Sequence, residues 1–301
     1  MTFHRRKPGI LGEMNERASR ETSREPRWEN NQLPDINRLS VLMSAIMLAY
    51  ALTPFMRDAT QTAEIRLPGI VFPIQFGFAT VVSILVAGMA AAGMEWLLGN
   101  HPAMAKKSSA RRSRWQHWLI PAMAAWGIGI PLNVSQVAPE WWVVFALGGL
   151  LLGIVFVAEY ISLDFNDPRY ALAVVALIGV SIALFLVLAI GLRTLGARLY
   201  LLAPALGLVA GLIVLRTLYL RQNGRWCLAW SAGIAWVVVQ IGIGLHYLNI
   251  PPLSFGLMLL GPAYALTSLA SAIEDHHPWR TLWIEPLLML AAFLVLAILL
   301  M

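Results

Sequence analysis

The chain has 301 residues, of which 58% are hydrophobic and 13% charged, and its formal net charge is +6. Soluble domains run at roughly 45–50% apolar and about 25% charged residues, so a soluble globular fold is excluded for want of polar surface. The single cysteine, Cys227, excludes an intrachain disulfide and any multi-cysteine zinc site.

The apolar excess arrives in blocks of about twenty residues, the length that crosses a hydrocarbon layer. The pattern predicts an all-α integral membrane protein, a bundle of about nine transmembrane helices over residues 38–301. The basic residues gather beside these blocks, which points to orientation and anionic lipid rather than to nucleic acid.

Residues 1–37 are polar, with interleaved Arg and Glu such as Glu16, Arg17, Arg20 and Glu21. A segment this poor in aliphatics cannot offset its ordering entropy and is expected to be a flexible cytoplasmic tail. It does not read as a cleaved signal, because no small-residue cleavage pattern follows the first apolar run.

The first span is expected over 39–55. The segment after it contains Pro68-Gly69 flanked by β-branched residues, which predicts a small external hairpin. The second span, 74–98, carries Ala87, Gly88, Ala91 and Ala92 as a tight-packing face. Next comes Lys106 to Arg114, five positive charges in nine residues, a run strongly biased to the cytoplasm and to anionic lipid.

The third span, 118–132, is short and interrupted by Pro121 and Pro131, so it either crosses or re-enters. The remaining spans are expected at 141–161, 170–192, 199–218, 226–248, 253–273 and 282–301. Gly149/Gly153 and Gly207/Gly211 are spaced for close contact with partner helices. On this map 18 of the 22 Lys and Arg lie on one side and 4 on the other. The N-terminus is therefore expected inside and the C-terminus outside, in a membrane such as the bacterial inner one. Tryptophans at the span ends, Trp141 and Trp142 among them, read as interfacial anchors.

Ionisable residues in or beside spans mark candidate sites. The candidates for chemistry are Glu95, Glu159, His276, His277 and Glu285, with His117 close by. Pairing of an interfacial carboxylate with Arg216 or Arg280 is the structural alternative. No cofactor or metal site is expected, because adjacent residues such as His276 and His277 diverge by about 100° on a helix. Gln240, mid-span, is expected to bond a neighbouring helix, whereas Arg193 and His246 look isolated.

Asp164, Asp167 and Glu274-Asp275 lie in loops on the expected inner side. In its spans and inner acids the chain resembles the membrane prenyltransferases in outline. That family carries paired aspartate-rich motifs for magnesium-bound diphosphate, and these acids lack that spacing, so no residue role is carried over. Two functional readings remain. One is a non-catalytic protein: a scaffold, an accessory subunit, or a handler of a small apolar or lipid molecule, transport included. The other is an enzyme with an acid–histidine site at the cytoplasmic interface.

Overall fold

A computed structural model describes residues 33–56, 60–67, 70–99, 115–134, 139–164, 167–196, 198–222, 224–276 and 282–301. The tail up to residue 32, the basic run 106–114 and His277 lie outside the described residues.

The first helix, α1 (Ile36–Leu52), starts where Asp35 accepts a hydrogen bond from the Asn37 amide at 3.0 Å, satisfying one of the donors a helix start leaves unpaired. A 3-10 turn, Thr53–Met56, closes it. Strands β1 (Thr60–Leu67) and β2 (Ile70–Gly77) then pair antiparallel, from Thr60 opposite Gly77 to Leu67 opposite Ile70. This is the expected hairpin, and it is longer than its Pro-Gly signal alone implied. The second membrane helix consequently begins at Phe78 rather than at residue 74, because residues 74–77 are taken up by β2.

Helices α2 (Phe78–Leu98), α3 (Gln116–Val134), α4 (Pro139–Ile161), α5 (Tyr170–Thr194) and α6 (Leu199–Arg221) follow. The chain continues as α7 (Leu228–His246), α8 (Pro252–Glu274) and α9 (Ile284–Leu299). Seven of these nine described helices are long and apolar enough to cross a membrane, and α9 is a shorter apolar helix.

The third segment is the informative exception. Pro121 and Pro131 lie inside α3 without interrupting it. Neighbouring helices can re-satisfy backbone groups freed by proline in a membrane bundle, and α3 is enclosed by α2, α4 and α5. One end of α3 meets the last turns of α2 and α4, where Trp118 reaches Glu95 and His117 reaches Glu159. Its other end lies beside the first turns of those helices, where Asn133 bonds Ser83 and Trp141 bonds the Leu132 carbonyl. Sixteen residues separate His117 from Asn133, about 24 Å of helix. The segment therefore runs the depth of the bundle.

Helix α5 packs against α3, α4, α6 and α8 and forms the centre, with Leu177, Leu184, Phe185 and Leu188 buried. Large side chains such as Leu48, Leu150, Leu172 and Val175 are exposed around the outside. Exposed aliphatics on apolar helices are what a lipid-facing surface requires.

The small-residue face of α2 differs from expectation. Gly88 is exposed with open space beside it, and the packed face instead runs through Val86, Ala90, Gly93 and Leu97. At Gly93 an added Cβ would fall 2.9 Å from Leu42 Cγ and closer still to both Leu42 methyls. The obstruction reaches the branch point, so rotating the methyls away does not relieve it. Gly93→Val is expected to force α1 off α2 at a cost of about 1–3 kcal/mol, the usual range for overpacking. Gly88→Ala should stay within about 0.5 kcal/mol. Thermal unfolding of both variants in one detergent makes the comparison.

The two glycine pairs face neighbouring helices. Gly149 meets Met47 and Gly153 approaches Met43 on α1, while Gly207 meets Val239 and Gly211 meets Ala235 on α7. Ser231 on α7 donates to the Gly211 carbonyl at 2.7 Å, a bond that needs this close approach. Gln240 lies on the exposed side of α7 instead of against a neighbour. Arg193 and His246 are not isolated. Arg193 donates to the carbonyls of His246 at 3.2 Å and Leu248 at 2.9 Å, and its guanidinium lies 5.3 Å from the Phe255 ring centroid. An arginine from α5 thus caps the unsatisfied carbonyls at the end of α7.

Candidate functional site

Two polar clusters form at one end of the bundle, where α2, α4, α6 and α8 finish and α3, α7 and α9 begin. The first is closed. Glu159 in the last turn of α4, His117 in the first turn of α3 and Arg216 near the end of α6 are all buried, with Glu159 0% and Arg216 1% exposed.

Glu159 Oε2 is the common acceptor. Arg216 Nη2 donates to it at 2.5 Å, and His117 Nδ1 lies 2.7 Å away. Ser162 donates to the Glu159 carbonyl at 2.9 Å. Gln116 Nε2 stands 3.2 Å from His117 Nε2. A proton on Nδ1 suits this geometry, since Nδ1 then donates to the carboxylate while Nε2 faces the Gln116 amide. Glu159 and Arg216 compensate each other's charge, which lowers the cost of burying both. Arg216 also lies 5.3 Å from the Tyr219 ring centroid. Its Nε and Nη1, and Glu159 Oε1, have no partner among the described residues.

The second cluster is open. A cleft of about 320 Å³ lies between α6, α8 and α9, lined by Arg221, Ser268, Ser271, Asp275 and Glu285, with Leu282 and Pro286 beside them. Tyr264 Oη donates to Glu285 Oε1 at 3.0 Å and stands 3.5 Å from Arg221 Nη2. Gln222 donates to the Ser271 carbonyl at 3.2 Å and to Asp275 Oδ1 at 3.3 Å. Trp230 on α7 holds Glu274 at 3.0 Å.

The candidate residues named from sequence go to separate places. Glu159 lies in the closed cluster, and Glu95 accepts from Trp118 Nε1 at 3.1 Å. Glu285 lines the open cleft. His276 is exposed and ends α8 with a positive φ of 53°, donating its amide to the Ile273 carbonyl. A residue in that left-handed conformation is a common helix terminator. Among the described residues no group of three His, Cys, Asp or Glu could hold a metal ion.

Sequence reasoning named Arg216 as a partner, His117 as a neighbour, and Glu285 and Asp275 singly, but not their meeting with Arg221 in one cleft. The signal was present along α8 and its C-cap: Tyr264, Ser268, Ser271 and Asp275 recur at helical spacing and form one polar stripe.

Long apolar helices, a lipid-facing exterior and charged groups confined to helix ends define a multi-pass α-helical membrane protein. Residues 58–300 match the family described as "Protein of unknown function (DUF5656)", which takes in the hairpin and every helix after α1. The chain belongs to that family. No curated protein and no solved structure matches it.

Proposed function

We propose that this is a non-catalytic membrane protein that handles an amphiphilic, lipid-like molecule. The observation that carries this reading is the division of polar groups between the two clusters. The meeting point of acid, imidazole and guanidinium is sealed, with Glu159 Oε2 bonded to both Arg216 and His117, so it ties α3, α4 and α6 together and is closed to substrate. The open polar cleft, in contrast, lies at helix ends beside exposed apolar side chains such as Trp283, Ile284 and Leu288. A polar recess bordered by lipid-facing residues suits a molecule with a polar head and an apolar body.

Chemical modification tests the sealed half of the argument. Diethyl pyrocarbonate applied to folded protein in detergent is expected to spare His117 and to modify it after denaturation, as read by peptide mass spectrometry. Rapid native modification of His117 would show an accessible imidazole and favour the enzymatic alternative.

The charge distribution supports a cytoplasmic N-terminus and an external C-terminus in a bacterial inner membrane, with 106–114 drawing anionic lipid to the inner face. A reporter active only in the cytoplasm and fused after Met301 should be silent. Activity of that fusion would reverse the orientation.

A further inference from the structure

The cleft between α6, α8 and α9 holds charges of both signs that do not pair with each other. Among the described residues, Arg221, Asp275 and Glu285 take part in no ion pair, although all three line one cavity. Tyr264 stands between the arginine and Glu285, donating to the carboxylate while its ring lies 5.6 Å from the guanidinium. Asp275 accepts only from the neutral Gln222 amide among the described residues. Ser268 and Ser271, on the α8 floor, add hydroxyl groups to the same recess.

This arrangement discriminates by charge. A simple anion drawn to Arg221 meets two carboxylates, and a simple cation drawn to the carboxylates meets Arg221. A molecule carrying both charges, joined by a short bridge, satisfies both sets at once. Like-charge juxtaposition is a recognised means of rejecting wrong partners.

The cleft's position narrows the class further. Arg221 is the last residue of α6 and Glu285 lies in the first turn of α9, so the recess sits where these helices leave the apolar layer. Helix α9 packs chiefly on α8, which leaves α6 and α9 as the two walls of the cleft. The exposed Ile284, Leu287 and Leu288 continue along α9 into the apolar layer, where acyl chains would lie.

We infer that this cleft binds a phosphate–ammonium zwitterion as the headgroup of a phospholipid, the phosphate on Arg221 and the ammonium on Glu285 and Asp275. The inference rests on the lipid-handling reading above and adds the headgroup chemistry to it. A free zwitterion such as phosphoethanolamine has the same polar chemistry and provides the comparison that separates the two sources.

The test uses the full chain purified in a mild detergent, with binding read by native mass spectrometry. The probes are short-chain phosphatidylethanolamine, phosphatidylglycerol with the same acyl chains, and free phosphoethanolamine. Phosphatidylethanolamine is expected to bind at least about tenfold more tightly than phosphatidylglycerol, the effect of one charge-assisted contact. Arg221→Gln and Glu285→Gln should each weaken it by about tenfold or more. Asp275→Asn, at an exposed helix end, gives a variant that keeps the fold should the other two fail to purify. Equal affinity for the two lipids, or wild-type affinity in the folded variants, would overturn the headgroup inference and leave lipid handling standing. Binding of free phosphoethanolamine without either lipid would overturn lipid handling and keep the zwitterion. Retention of none of the three probes would overturn both.

Discussion

Glu159→Gln is expected to remove about 3–5 kcal/mol of stability, the range for breaking a buried ion pair by deleting one member. The substitution preserves shape but leaves Arg216 charged and sealed, with two of its nitrogens already lacking partners. Arg216→Met should cost less. His117 Nδ1 stands 2.7 Å from the carboxylate, so Glu159 Oε2 keeps one partner when the guanidinium is gone. The double variant, Glu159→Gln with Arg216→Met, should recover most of the single loss, because neither charge is then stranded. Unfolding in one detergent, analysed as a double-mutant cycle, yields the coupling energy. Simple additivity of the two losses would refute the ionic account of this cluster.

The second large effect is expected at Trp141. Its sequence position reads as an interfacial anchor, yet the side chain is only 2% exposed. It stacks on Phe145 with ring centroids 5.1 Å apart, and its indole donates to the Leu132 carbonyl at 3.1 Å. That carbonyl belongs to the last turn of α3, where carbonyls have no partner further along the helix. Trp141→Ala therefore leaves both a cavity and an unpaired acceptor, and should cost about 3–5 kcal/mol. Trp141→Phe fills most of the volume without restoring the bond, so a loss of about 1–2 kcal/mol should remain. The neighbouring Trp142 is exposed, and Trp142→Ala serves as the reference. Equal losses at the two positions would return Trp141 to the role of a surface anchor.

The helices were legible in the sequence because a membrane imposes one length and one composition on every span. Eight of the nine described helices start and end within a few residues of the expected limits. The ninth, α2, starts late because Ile74 and Phe76 are apolar enough to extend a hydropathy block and also suit a strand. Mean hydropathy does not distinguish those states. Lateral packing was less legible. Gly88 and Gly93 look alike in a sequence, and only the position of Leu42 separates an open glycine from an indispensable one. The site followed the same rule. Glu159 was conspicuous as a carboxylate in an apolar helix, but its pairing depends on helices 42 and 57 residues away in the chain.

The Glu159–Arg216 pair also bears on how the bundle can move. It joins α4 to α6 across any division of the molecule into α1–α4 and α5–α9. Elsewhere across that division apolar contacts occur, such as Gly191 against Ile130 and Gly127 against Leu184. A desolvated ion pair cannot separate without stranding both charges. The pair therefore ties α4 to α6 against separation at this end of the bundle.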